Sequence, residues 1–458
     1  MMYKMKKTIL LTLIICCPVF GQAATLASME DGQGERHLSL QECRQMALEQ
    51  NEKIKIAQNA VDKAKLDRQI AFAQYLPKVD GSFTLIHMKT IDLLDQDFFG
   101  LALQTRGTFL AGISITQPLY VGGQITAANR LASIGQTVSQ EKQRKTRMQV
   151  IADVDNAYYT LIAVRSKVQM LEAYARQMQE LYDQVKLAAS VQMATDNDLL
   201  RITTKQNEVS YQLQKARNGE QLCGLALANV IGTDFEQTII PTDTVFNSES
   251  TIHNSNSFEL SEDISTRPDL LLLQQQVKAN EAIVKKTRSN YLPTVALMGR
   301  YSYYDNLRLK GDLTLPNIGS LGYNHTLNGG NPMALLSISL PIFHWGAELK
   351  KVKKAKFDLS DAKLQLQQNE RGMRVEVRRA VQNVTDSQRM VETATIGRQQ
   401  ADENLRVMRQ KFDNQMCTMT DLLDAQSQWQ QARSNLIEAQ TQQKIYETEY
   451  LRVTGRLE

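Results

Sequence analysis

Proline is absent from residue 119 to residue 240 of this 458-residue chain, and glycine from residue 136 to residue 218. A stretch of that length without helix breakers excludes a domain of short elements and tight turns there. Aromatic residues make up only 6% of the chain, which argues against the several compact cores its length would otherwise allow. Beyond Cys16 and Cys17 only Cys43, Cys223 and Cys417 remain, too few and too far apart for a disulfide framework or a metal set. His37, His87, His253, His325 and His344 are scattered singly, so neither a metal nor any other cofactor is expected. Without a glycine-rich phosphate loop or a nucleophile–base constellation, the chain does not read as an enzyme. The net charge of +4 comes with no basic cluster interleaved with aromatics, so nucleic acid is not an expected partner. After the N-terminus, no apolar run reaches the roughly 20 residues of a membrane-spanning helix.

The N-terminus does carry an address. Lys4, Lys6 and Lys7 precede an apolar run from Ile9 to Phe20, followed by Gly21, Ala23 and Ala24. This reads as a secretory signal peptide over 1–22, so the mature chain is expected to be exported. Ile15 is a poor residue before a lipidated Cys16, which argues against lipid attachment there.

What the chain has in quantity is internal repetition. Tyr75-Leu76-Pro77 recurs as Tyr291-Leu292-Pro293, an offset of 216 residues (293 less 77). Pro118-Leu119-Tyr120 with Gly123 recurs as Pro341-Ile342-Phe343 with Gly346, an offset of 223 (341 less 118). The second offset also relates Gln192-Met193 to Gln415-Met416 and Asp198-Leu199-Leu200 to Asp421-Leu422-Leu423. A register held without gaps over some eighty residues is a structural duplication. The halves change offset only between their paired prolines, which predicts a difference in loop length there.

Each half is predicted to contain a helix, a strand pair, a very long helix, a tip and a returning helix. The first repeat spans 39–235, after a linker over 23–38; the second spans 265–458, after a linker over 236–264. Ser39-x-x-Glu42 is a capping box opening a helix that runs to about Gln74. Its counterpart opens at Arg267-Pro268-Asp269-Leu270. Period-two alternation predicts strands at about 78–90, 106–117, 294–305 and 333–341, with one apolar face each, as in a membrane barrel. The segments 91–105 and 306–332 hold Gly, Asn and Asp and read as turns. Apolar steps of three and four then predict long coiled-coil helices over about 124–190 and 347–412, with tips at 191–197 and 413–420. A helix of the first length is about 100 Å long and must project from any globular body.

Four strands cannot close a barrel, and an open edge in lipid leaves backbone groups unpaired at several kcal/mol each. Copies must therefore pool strands; two copies give eight and an interior that side chains nearly fill, three give twelve and room for a channel. An exported coiled-coil scaffold without channel activity would explain the long helices, but not the paired alternating segments bracketed by prolines.

The Tyr-Leu-Pro pair, Pro118-Leu-Tyr-Val-Gly-Gly123, Pro341-Ile-Phe-His-Trp-Gly346, Arg267-Pro268-Asp269-Leu270 and Thr420-Asp-Leu-Leu-Asp-Ala425 occur in an order and spacing that resembles the outer-membrane efflux duct family typified by TolC. The resemblance implies a mixed α/β membrane protein, a homotrimer with a twelve-stranded β-barrel in the outer membrane and a long α-helical barrel in the periplasm. It implies an exit duct for efflux or type I secretion, in contact with outer-membrane lipid, a periplasmic adaptor and an inner-membrane transporter. It also implies that Val191, Gln192, Met193, Gln415 and Met416 meet the adaptor, although family members usually carry glycine at the positions of Gln192 and Gln415. Asp421 and Asp424 match two aspartates that line the family's pore constriction, and Asp198 matches an acid of its closing network. Arg201 takes the repeat position of Asp424 and sets a cation beside that ring. Cys417 and Phe412 replace a basic residue and its tyrosine partner, so that closing pair is lost here.

Overall fold

The computed structural model describes residues 30–31, 35–87, 91–96, 99–104, 107–233, 238–243, 260–315 and 319–457. The expected signal peptide, Cys16 and Cys17 lie outside them.

The chain begins with β1 (Glu30–Asp31) and β2 (Glu35–Leu38), then α1 (Leu40–Gln50) and α2 (Glu52–Ala73). The Ser39–Glu42 capping box opens α1. A single helix to Gln74 was expected, but the chain breaks at Asn51 (ψ 130°). Its side chain accepts from the Lys53 amide and donates to the Val230 carbonyl at 2.7 Å. Apolar spacing is blind to such a cap, because the capping residue interrupts the helix without interrupting the pattern.

A strand system follows, with β3 (Lys78–Ile86), β4 (Ile91–Gln96), β5 (Phe99–Gln104) and β6 (Thr108–Val121). The 67-residue helix α3 (Gln124–Ser190) and α4 (Asp196–Ile231) come next, then β7 (Thr238–Pro241) and α5 (Pro268–Ser289). The second half continues with β8 (Thr294–Leu315), β9 (Gly319–Ser339), α6 (Ala347–Asp413, again 67 residues) and α7 (Met419–Val453).

The large sheet joins β3, β6, β8 and β9 in that order, all antiparallel, and β4–β5 prolongs the β3–β6 hairpin outward, with β5 pairing β8 beyond the end of β6. Hairpin registers repeat under the two offsets: Lys78 stands opposite Thr116, and Thr294, 216 residues on from Lys78, opposite Ser339, 223 on from Thr116. One face carries Val79, Phe83, Leu85, Ile113, Ile115, Tyr301, Leu336 and Ile338, all exposed; rows such as Asp80–Ser114–Arg300 line the other. On the apolar side Phe83 stacks on Phe109 at 5.8 Å, and Phe109 meets Tyr303 in a tilted contact at 6.1 Å, a row across three strands. A sheet with an exposed apolar face and a polar reverse is what a lipid-facing wall requires.

Three expectations need correction. The segments 91–105 and 306–332 are not turns in the main: β4, β5 and the outer parts of β8 and β9 occupy most of them. Leu307, Leu309 and Gly311 keep the alternation of β8 running beyond a bulge at Tyr304/Leu307, so the ladder tolerates the Gly and Asn that read as breakers. β4 and β5 carry the first hairpin outward, with Ile91 opposite Leu103 in the same register that sets Ile86 opposite Thr108, so among the described residues the sheet is four strands wide but longer than expected. Strand β6 likewise passes through Pro118, where a bulge between Pro118 and Tyr120 absorbs the missing donor. Finally, the two linkers hold a small sheet, β1–β2–β7, with β2 and β7 parallel. Strands of two to four residues, paired across some two hundred positions, leave no readable period.

Below the sheet, α2 lies against α3, α3 against α5 and α5 against α6; α3–α4 and α6–α7 are the two long hairpins. One buried cluster sits where α1, α3, α4 and β7 meet, around Cys43, Val154, Tyr158, Leu227 and Ile231. Burial pushes the Cys43 thiol up to about 12, so it behaves as a core residue. A second cluster, around Val377, Val384 and Tyr450, joins α5, α6 and α7. The third runs along the lower hairpins from Met170 to Val185, with Ile202, Leu422 and Trp429. Among the described residues, no helix is long and apolar enough to cross a membrane.

Candidate functional site

The far ends of the two hairpins are built twice from the same bonds. After α3, Gln192 takes a left-handed conformation (φ 61°), and the Met193 amide reaches back to the Ala188 carbonyl at 2.8 Å. After α6, Gln415 does the same (φ 59°), with the Met416 amide on the Lys411 carbonyl at 2.7 Å. These are helix-ending turns of the kind in which glycine is usual, here closed by glutamine at some cost in strain.

Each returning helix then opens with a capping box. The Asp198 amide donates to the Thr195 hydroxyl at 3.2 Å, and the Asp198 carboxylate accepts from the Thr195 hydroxyl at 2.7 Å and its amide at 3.2 Å. Thr418 and Asp421 repeat this at 3.2, 2.7 and 2.9 Å. The Thr418 hydroxyl and then its amide hold the Asp421 carboxyl below the usual carboxylate range. Both aspartates are thus fixed in orientation. Their repetition three residues after a threonine was the signal for this role.

Around these turns the side chains divide. Val191, Met193 and Met416 are 59%, 68% and 77% exposed at the extremity. A cleft of about 520 Å³ lies between the tips, lined by Met193, Asp198, Gln415, Cys417 and Met419 among others. The structure brings those four sequence-predicted or flagged residues, Met193, Asp198, Gln415 and Cys417, to one place. Asp424 is exposed one turn beyond Asp421. Arg201 donates to the Thr420 hydroxyl, joining α4 to the first turn of α7, and among the described residues no ion pair links it to Asp424. Burial and then the Asp421 carboxylate push the Cys417 thiol above its ordinary range, which keeps it protonated.

Sequence reasoning missed the polar ties above the tips. Arg44 of α1 clasps the fully buried Asp155 of α3 through two bonds of 2.7 and 2.5 Å, and Thr448 of α7 donates to the same carboxylate at 2.8 Å. Trp429 donates to Asp402 at 2.7 Å while Arg433 stacks 4.6 Å over its ring. The partners in the first set are more than a hundred residues apart, and no local pattern announces them.

The family described as "Outer membrane efflux protein" matches residues 43–233 and 260–456. A probable efflux pump outer membrane protein of Pseudomonas putida, TtgC, is 22% identical over 414 residues, covering 88% of this chain and 75% of its own. The fold is similar to that of CusC (TM-score 0.76, 16% identity, 91% of this chain and 92% of that one). It is also similar to that of the CmeC outer membrane channel of Campylobacter jejuni (TM-score 0.72, 18% identity, 91% and 85%).

Proposed function

The chain belongs to the outer membrane efflux protein family, and from that premise we propose that three copies of it close into one duct. The duct would receive substrate from a periplasmic adaptor and an inner-membrane transporter and release it outside the cell. As a member of that family the protein is an outer-membrane efflux channel and not an enzyme, with its helical part in the periplasm.

One observation carries the trimer. The spanning sheet ends in two open edges, β3 and β9, which lipid does not tolerate. The duplication indicates how they meet, because β9 of one copy stands to β3 of the next as β6 stands to β8. Ile113 opposite Tyr301 then becomes Leu336 (113 plus 223) opposite Leu85 (301 less 216) of the next copy. That register sets apolar residue against apolar residue on the lipid face, and three copies give twelve spanning strands.

At the periplasmic end, the exposed Val191, Gln192, Met193, Gln415 and Met416 form the adaptor contact in this reading. Flexible thioethers at the extremity suit an adaptable docking surface. Asp198, Arg201, Asp421 and Asp424 form the constriction, where stacked carboxylate rings favour cations. The Thr418 bonds that hold the Asp421 carboxyl below the usual carboxylate range support a ring that stays charged at neutral pH. Two experiments test these assignments. Gln192→Glu with Gln415→Glu should abolish efflux while the trimer persists; normal efflux refutes the docking role. Asp421→Asn with Asp424→Asn, chosen because the asparagine side-chain oxygen can still accept from Thr418, should lower cation selectivity and cation block in planar bilayers. Unchanged selectivity and block in an intact trimer refute the constriction.

A further inference from the structure

Where each long helix leaves the sheet, the two halves differ at one residue. Gly122 and Gly123 precede α3 with φ 61° and 82°; at the equivalent positions Trp345 and Gly346 precede α6 with φ 53° and 73°. The backbone turn is therefore the same, but the second half builds it with tryptophan in a conformation that favours glycine. Trp345 is 85% exposed, and its neighbours Ile342 and Phe343 are 90% and 68% exposed. Within one chain it touches the Phe343 ring, with centroids 5.0 Å apart. Among the described residues of the single chain, nothing accounts for so strained and so exposed an indole.

The first half shows what lies opposite this turn. A Cβ on Gly122 would stand 2.7 Å from the Ser289 carbonyl oxygen and 2.9 Å from the Leu292 Cβ, so the α3 junction is closed tightly against the end of α5. Under the 216-residue offset, Ser289 and Leu292 correspond to Ala73 and Leu76, at the end of α2 on the other flank of the molecule. That corner presents Ile70, Phe72 and Leu76, exposed by 63%, 59% and 52%. Helix α6 packs on α5 and α7, both of which also face α3, and α2 packs on α3 with a short contact to α1; among the described residues the opposite side of each carries no extensive helix contact. Ring closure brings these two free sides together.

We infer that Trp345 is a wedge between copies, packing on the Phe72–Leu76 corner of the next copy. The junctions between copies then differ from those within a copy: glycine allows close approach at Gly122, and an indole fills a wider gap at Trp345. The left-handed strain at Trp345 is offset by apolar burial that exists only in the ring. This inference rests on the proposed trimer, and the occupant is a second copy of this chain because the equivalent contact inside the chain is observed.

The test uses the full-length protein extracted from membranes and reconstituted in liposomes. Trp429 is the only other tryptophan, so the wild-type minus W345F difference spectrum isolates the emission of Trp345. The wedge predicts emission at short wavelength, unquenched by acrylamide or by phospholipids brominated on their acyl chains. Quenching by acrylamide in an intact trimer would place the ring in water, and quenching by brominated lipid would place it in the bilayer; either overturns the wedge. W345G gives an independent sign. Glycine relieves the backbone strain, so a free surface tryptophan predicts an unchanged or raised temperature of trimer dissociation. The wedge predicts a fall of several degrees, and a W345G trimer as heat-stable as wild type contradicts it. If no trimer forms from the wild-type protein, size alone reveals that the ring itself is wrong, and both readings fall together.

Discussion

Asp155 and Arg378 occupy the same place in the two halves, 223 residues apart (378 less 155), each on the thirty-second residue of its long helix (counting from Gln124 and Ala347). Asp155 is fully buried and holds Arg44 at 2.5 Å, whereas Arg378 is 76% exposed and holds a half-exposed partner, Glu262, at 3.1 Å. The tips behave in the opposite way. There Thr195 and Thr418, Asp198 and Asp421, and Gln192 and Gln415 make the same bonds with the same backbone angles. The contrast shows what a duplication retains. Where local hydrogen bonds set the chain's direction, the residue types repeat. Along the helices, each face adapts to whatever packs on it, and even the sign of a charge is free to change.

Substitutions can break this comparison in order of size. Asp155→Ala leaves the Arg44 guanidinium without its carboxylate in a largely buried site and should cost about 3 kcal/mol in chemical unfolding. Thr195→Ala and Thr418→Ala should each cost about 1 kcal/mol at their own tip, read as faster amide exchange in the first turns of α4 and α7. Unequal losses would mean that the tips are alike in backbone but not in energy. Gln192→Gly and Gln415→Gly should each stabilise their turn by up to about 1 kcal/mol, since only the strain of a left-handed glutamine is removed. At the second tip the Asp421 carboxyl is depressed in the folded chain, so its contribution is complete above the ordinary carboxylate range. It is lost as pH falls through the folded value, and exchange protection of α7 should fall with it. Smallest of all, Arg378→Ala should leave the unfolding curve unchanged, because a solvated ion pair contributes little.

Much of this was legible in the sequence, for reasons that differ by region. The long helices could be read because proline and glycine are missing and because apolar steps recur over many turns. The tips could be read because the duplication places the same residues twice at the ends of the long apolar repeats, although the threonine that caps each returning helix went unread. The ends of the strands could not, since β8 and β9 continue through Gly and Asn that elsewhere stop a strand. The small β1–β2–β7 sheet and the Arg44–Asp155–Thr448 tie depend on partners remote in the chain. Periodicity reports which face of an element is apolar, and is silent about what a short or polar segment will meet after folding.

The central claim is that β9 of one copy pairs with β3 of the next in the register that β6 and β8 show within a copy. Leu85→Cys combined with Leu336→Cys, oxidised in isolated outer membranes, tests it on a non-reducing denaturing gel. The account predicts species of two and three covalently joined chains that collapse to one on reduction, and none from a control with Leu85→Cys and Ile338→Cys. Chains that remain single under oxidation, or a native mass of one or two chains for the extracted protein, would contradict it.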